Sequence, residues 1–241
     1  MHRKITTLFT VGILGGALLS GATTASADPT ALMVSNPCAG CHGIEGASQG
    51  EAPVIAGLSQ MYLASTMKAY RDGQRYATIM DRIAKGYDDA QINASYRVIQ
   101  DRRQAHEEAQ AGKRQQLADM FLAANAAREG VTTTASGLQY EVLETGDGAS
   151  PGPKSNVVTH YHGTLVDGTV FDSSVERGEP AEFGVHQVIP AWTEALQMMS
   201  VGDKWRIVCP PRLAYGEQGA GADIGPNSAL VFEIHLIAIK D

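Results

Sequence analysis

Positive charge is scarce in this chain of 241 residues, where 19 Lys and Arg face 26 Asp and Glu. Nucleic-acid binding needs a basic stripe to neutralise phosphate, so that class of function is disfavoured. Cysteine is nearly absent, with three in the whole chain. Long apolar runs are missing as well. The run at residues 8–19 is shorter than the ~20 apolar residues that a bilayer span needs. No low-complexity tract and no internal repeat stands out. What remains is an ordinary globular composition, 44% hydrophobic and 19% charged, with enough apolar material for a buried core.

Residues 1–27 read as a secretory signal. His2, Arg3 and Lys4 precede the apolar run, and Ala25-Ser26-Ala27 offers small residues for cleavage before Asp28. No cysteine lies near that point, so there is no place for a lipoprotein anchor. Cleavage removes two positive charges, Arg3 and Lys4, and no negative one, so the acidic excess widens from seven to nine. The expectation is a periplasmic chain starting near Asp28, without a membrane span.

Texture divides the remainder into three. Residues 28–98 are rich in Gly, Ala and Met, with one helix over residues 59–71, where Tyr62, Leu63, Met67 and Tyr70 recur at helical spacing, and a second over 88–98. Residues 99–130 read as a connecting helix, polar in its first half and stopped by Gly130. After Gly130 the period changes to two. Leu138, Tyr140 and Val142 alternate with Gln139 and Glu141, and residues 157–165 alternate in the same way, as half-buried strands do. Asp167-Gly168 marks a hairpin turn, residues 190–199 a short helix opened by Pro190, and residues 230–239 a last apolar strand. The predicted architecture is multidomain: a small all-α domain, a linker helix, and an α+β domain over residues 131–241 with about five antiparallel strands and one short helix.

Cys38-Ala39-Gly40-Cys41-His42 carries the most distinctive chemistry of the N-terminal part. Two thiols so spaced can each add to a vinyl group of one haem, and the adjacent imidazole then reaches the iron. A disulfide or half of a zinc site are the other readings. Zinc is weakened because no second Cys pair follows and His106 is the other His nearby. A redox CxxC belongs in a βαβ setting, which is absent. Met80 is the candidate for a second axial ligand. Met61 and Met67 on the intervening helix read as core or haem-packing residues, and Met33 lies where the first helix must pack.

Residues 29–98 resemble a small class I cytochrome c, above all the cytochrome domains of sulfide dehydrogenases. The likeness rests on residues 38–43, Glu51-Ala52-Pro53, residues 60–73 and residues 79–87. It implies one covalent haem c per chain, held by Cys38 and Cys41 with His42 and Met80 on the iron, and a periplasmic redox partner. It also implies that Pro53 shapes the wall beside the proximal His and offers a backbone acceptor to its second ring nitrogen.

Further along, His160-Tyr161-His162-Gly163, Val170-Phe171-Asp172-Ser173-Ser174, Glu182-Phe183, Val188-Ile189-Pro190-Ala191-Trp192, Leu213-Ala214-Tyr215-Gly216 and Leu230-Val231-Phe232 follow in order. Together they resemble the FKBP family of peptidyl-prolyl cis-trans isomerases. The run at residues 133–140 and the preceding helix look most like the bacterial macrophage-infectivity-potentiator branch. The likeness implies a prolyl pocket floored by Trp192 and lined by Tyr161, Phe171, Phe183, Val188, Ile189 and Phe232. The Ile189 N–H would bind the substrate carbonyl, Tyr215 would supply a hydroxyl, Asp172 would polarise the inner pocket, and Ile224 would lie on a flap loop above it. Ala191 stands where the family commonly has Gly, and Ala181 where eukaryotic members often place Phe. Cys209 reads as a buried, unreactive thiol.

Two functions follow. One is an exported isomerase with chaperone-like work on proline-containing polypeptides, carrying a haem module. The other is an electron-transfer cytochrome whose FKBP domain only docks proteins. The infectivity-potentiator likeness also implies a homodimer through the connecting helix, against which residues 100–113 show no clear apolar stripe.

Overall fold

A computed structural model describes residues 29–240. The proposed signal at residues 1–27 lies outside the described residues. The chain divides into two compact units, one ending at Ile99 and the other beginning at Gln100. Among the described residues no helix is long and apolar enough to cross a membrane.

The first unit is helical: α1 (Pro29–His42), α2 (Gln60–Arg71), α3 (Met80–Ile83) with a 3-10 turn at Ala84–Gly86, and the opening turns of α4 (Asp89–Ala126). Ser59 caps α2, its hydroxyl accepting from the Tyr62 N–H at 3.2 Å and so satisfying one of the free donors of the first turn. Asp89 joins α2 to the start of α4, pairing with Lys68 at 2.7 Å and Arg71 at 2.8 Å. The Tyr87 hydroxyl donates to the Val34 carbonyl of α1 at 2.7 Å, and Ser95 reaches the same oxygen. A small core of Met67, Ala84 and Ile92 is flanked by Leu63, Tyr70, Met80 and Tyr87.

Two expectations change here. The second helix and the connecting helix are a single helix of 38 residues. Neither Pro nor a helix-stopping Gly stands between Val98 and Gln100, so nothing breaks the hydrogen-bond ladder there. Met33 and Met61, read as packing residues, are exposed at 74% and 81%.

The second unit is a seven-stranded antiparallel sheet: β1 (Val131–Thr133), β2 (Gln139–Glu144), β3 (Asn156–Leu165), β4 (Val170–Ser173), β5 (Ala181–Gly184), β6 (Lys204–Cys209) and β7 (Leu230–Lys240). Its order is β1-β2-β6-β7-β3-β4, with β5 also paired to β3. The free edge of β3 is shared, its last residues pairing β4 and its first residues β5. Gly168 turns the chain between β3 and β4 at φ 89°, a conformation open to glycine at little cost. Two short helices accompany the sheet, α5 (Ser174–Arg177) and α6 (Pro190–Met198). Ala191, Trp192, Ala195 and Leu196 of α6 pack with Tyr161 of β3, Ile207 of β6 and Phe232, Ile234 and Leu236 of β7 in one core. Each large apolar side chain buried in this way contributes about 1.5–3 kcal/mol.

On β2 the alternation places Gln139 outward, yet it is buried. Asn125 near the end of α4 donates to its side-chain oxygen at 2.8 Å, and its amide donates to the Leu122 carbonyl at 3.0 Å. The helix therefore covers that face of the strand. Leu117 is half exposed, and Ala118 takes the inner position.

Candidate functional site

The sheet unit holds a pocket of about 450 Å³ lined by Tyr161, Phe171, Asp172, Phe183, Gln187, Val188, Ile189, Trp192, Tyr215 and Phe232. Pro190 starts α6, where its fixed φ and missing N–H cost nothing. Ile189 caps that helix, its carbonyl accepting from the N–H groups of Trp192 and Thr193 at 2.9 and 3.1 Å. These bonds fix the backbone at the pocket wall and bring Trp192 onto the floor.

Around the Trp192 indole stand three rings in edge-to-face geometry: Phe232 at 5.3 Å, Tyr161 at 5.4 Å and Phe183 at 5.6 Å between centroids. Phe171 meets Phe232 in the same manner at 5.5 Å. Such pairs favour one arrangement of the rings beyond their burial alone. They make a rigid apolar box.

Its polar element is a three-way contact. The Tyr161 hydroxyl donates to Asp172, and Arg177 donates both to Asp172 and, at 2.9 Å, to the Tyr161 oxygen. Burial pushes the Asp172 carboxyl up, but hydrogen bonds from Tyr161 and Arg177 outweigh it and leave the group below the ordinary carboxylate range. Burial first, and the Asp172 carboxylate second, push the Tyr161 phenol up.

Nine of the ten residues expected at this site thus share one pocket. Ile224 is the exception. It belongs to the loop but is buried in the core, and its backbone bridges Ala220 across the loop. Gln187 and Arg177 were missed by the sequence reading. A signal for Arg177 existed, since Ser173 is an N-cap whose short helix returns a basic residue to Asp172. Nothing comparable marked Gln187. Ala191 is fully buried in the first turn of α6, and Cys209 is buried with its thiol pushed far up by burial.

The helical unit has its own cavity, about 250 Å³, whose lining includes Cys38, His42, Pro53, Met67, Met80 and Tyr87. His42 is buried, and its Nδ1 donates to the Pro53 carbonyl at 2.7 Å, the tautomer that leaves Nε2 as a ligand. Met80 lies between α2 and α4, where it opens the short helix α3. Cys38 and Cys41 are free thiols on α1, Cys41 exposed. Burial pushes the Cys38 thiol up, opposed by the neighbouring Tyr87 hydroxyl. Among the described residues no three of His, Cys, Asp or Glu converge as a metal site, so the zinc reading lacks a ligand set.

Two family models match the chain. The model of the FKBP-type peptidyl-prolyl cis-trans isomerase matches residues 148–237, and that of the domain amino terminal to FKBP-type peptidyl-prolyl isomerase matches residues 44–142. The segment expected to be a cytochrome domain is therefore matched, from residue 44 onward, by an isomerase-associated domain. The chain is 48% identical over 169 residues to the FKBP-type 22 kDa peptidyl-prolyl cis-trans isomerase of Escherichia coli (strain K12), across 68% of this chain and 81% of that protein. It is 52% identical over 122 residues to the outer membrane protein MIP of Legionella longbeachae, and spans about half of that relative's length (52%). Among solved structures, FkpA from Escherichia coli superposes with a TM-score of 0.61 at 33% identity, over 75% of this chain and 90% of that one.

Proposed function

The chain belongs to the FKBP-type peptidyl-prolyl cis-trans isomerases, and from that premise we propose that it isomerises prolyl bonds of exported polypeptides at the Trp192 pocket. The observation that carries this is the aromatic box closed by three edge-to-face contacts on one indole. Rotation about a peptide bond meets a barrier of ~18–20 kcal/mol. Removing about 5.5 kcal/mol speeds it roughly ten-thousandfold. No nucleophile is needed. A prolyl ring seated on Trp192 brings its amide among apolar walls, where water no longer stabilises the planar, charge-separated form. The Tyr215 hydroxyl at the rim and the backbone at Ile189 supply hydrogen bonds to the peptide, while Asp172 and Arg177 hold Tyr161 in the wall. A coupled proline-peptide assay tests this. W192A is expected to lose at least about tenfold in kcat/KM, and an unchanged rate removes the site assignment.

The second element of the proposal is a covalent haem c in the helical unit. Its support is the meeting of Cys38, His42 and Met80 on one cavity, together with the bond that orients the His42 ring. Thioether bonds would run to Cys38 and Cys41, and His42 and Met80 would be the axial donors. Met67 and Tyr87 supply apolar wall beside them. When bound, the haem supplies one-electron redox chemistry, towards a periplasmic partner. Absorbance of the exported protein decides the matter. A haem band that shifts on reduction, survives acid-acetone extraction and disappears in C38S/C41S is expected, and a colourless product overturns it.

A further inference from the structure

Residues 215–228 form a closed loop beside the prolyl pocket. Tyr215 lines the pocket at one end. The Gly219 N–H returns to the Tyr215 carbonyl, Ala220 and Ile224 exchange two bonds at 2.7 and 3.1 Å, and the Asn227 N–H closes on the Gly216 carbonyl at 2.8 Å. Asn227 achieves this with φ at 61°, the one positive φ outside glycine among the described residues. Asparagine tolerates this left-handed conformation better than other side-chain-bearing residues, and its N–H ties the turn at Pro226-Asn227 to Gly216, the neighbour of Tyr215.

A side chain from far away in sequence holds that turn. Arg114, half-buried on α4, donates from Nε to the Pro226 carbonyl at 2.7 Å. The guanidinium lies so close to the loop that a methyl built on Gly225 would stand 2.8 Å from its Nε and Cζ. Arg114 is one turn from Ala118, whose side chain is buried, so the packing of α4 fixes the base of the arginine. A charge-assisted bond to a backbone carbonyl is among the stronger hydrogen bonds a protein makes.

We propose that Arg114 is a positioning residue for the isomerase site: through the Pro226 carbonyl it pins loop 215–228 and so fixes Tyr215 on the pocket wall. The path runs from Arg114 to Pro226, through Asn227 to Gly216, and ends at Tyr215. It rests on the reading of the Trp192 pocket as the prolyl site. Tyr215 is at the rim, where it holds bound peptide in the ground and transition states alike, so losing its placement raises KM more than it lowers kcat.

The test uses the full chain, with a proline-peptide assay and amide hydrogen exchange in parallel. R114M keeps the aliphatic stem and removes the donor. The expected result is KM raised about tenfold with kcat within about twofold, and faster exchange at the Asn227 N–H. R114K, which keeps a charged donor, recovers part of both. G225A displaces the guanidinium from the other side and gives the same rise in KM, and R114M/G225A is no worse than either single change, as expected of two changes acting on one contact. Unchanged KM and unchanged Asn227 exchange in R114M overturn the proposal, and so do fully additive losses in the double variant. Absence of turnover in the unsubstituted chain counts against the isomerase reading instead, and the exchange data alone then decide whether Arg114 pins the loop.

Discussion

Tyr161 and Arg177 bind the same carboxylate, that of Asp172, so the pocket wall and the chain beyond it are fixed by one acceptor. The folded protein holds Asp172 ionised more firmly than the unfolded chain does, because its pKa is depressed. The contribution to stability is then complete above the unfolded carboxyl value of about 3.9. It fades as pH falls through the lower folded value. Thermal unfolding near neutral pH is expected to show D172N a few degrees below the unsubstituted protein, and the gap to close as the pH falls through the folded value. A gap independent of pH would mean that the carboxylate's charge is not what matters.

Gly163 of β3 stands where no side chain fits. A methyl there would lie 2.8 Å from the tip of Phe171 and 2.9 Å from the Phe232 ring. Both rings line the pocket, and neither edge can retreat without breaking its perpendicular contact with the other. G163A is expected to cost about 1–3 kcal/mol through overpacking. It should also raise KM for proline peptides while the fold persists. Urea unfolding and steady-state kinetics read the two effects separately, and G163A with unchanged KM would show that the ring pair does not shape the binding volume.

The aromatic pocket was legible through the ordered motifs that resemble the FKBP family, and nine of their ten residues line one cavity. Local signals alone gave less: Pro190 announces a helix start, but no single aromatic could be told from ordinary core. One miss has its cause in a partner from another element. Gln139 sits in a polar position of the strand pattern, and only Asn125, from a helix whose inner face the sequence did not reveal, explains its burial. Ile224 was placed by its loop, but the bridge to Ala220 goes with burial in the core. In the helical unit the Cys-x-x-Cys-His motif pointed to His42, and the bond from its ring to the Pro53 carbonyl is the backbone acceptor that the sequence likeness implied.

Met67 and Met61 lie six positions apart on α2 with opposite fates. Met67 is 8% exposed beside Ala84 and Ile92, whereas Met61 is almost wholly in solvent. M67A is expected to destabilise the helical unit by about 2–4 kcal/mol through the cavity it leaves. M61A should stay within about 0.5 kcal/mol. Hydrogen exchange along α2 checks this without relying on either tryptophan, since both belong to the sheet unit. Equal effects from the two changes would contradict the packing described for this small core.

Asn125 is the polar hinge between α4 and the sheet. It is 3% exposed, donates to Gln139, and accepts from Arg128 at 3.1 Å and Arg206 at 2.9 Å. Alanine at this position strands the Gln139 oxygen in the interior and removes an acceptor from two guanidinium groups, one of which is already disfavoured by burial. The expected loss is about 1–3 kcal/mol. Because Gln139 is stranded in the same way when Asn125 is removed as Asn125 is when Gln139 is removed, N125A/Q139A should cost less than the sum of the single changes. A coupling of about 1 kcal/mol in urea unfolding is the expected reading. Strict additivity would mean that the two amides are satisfied independently.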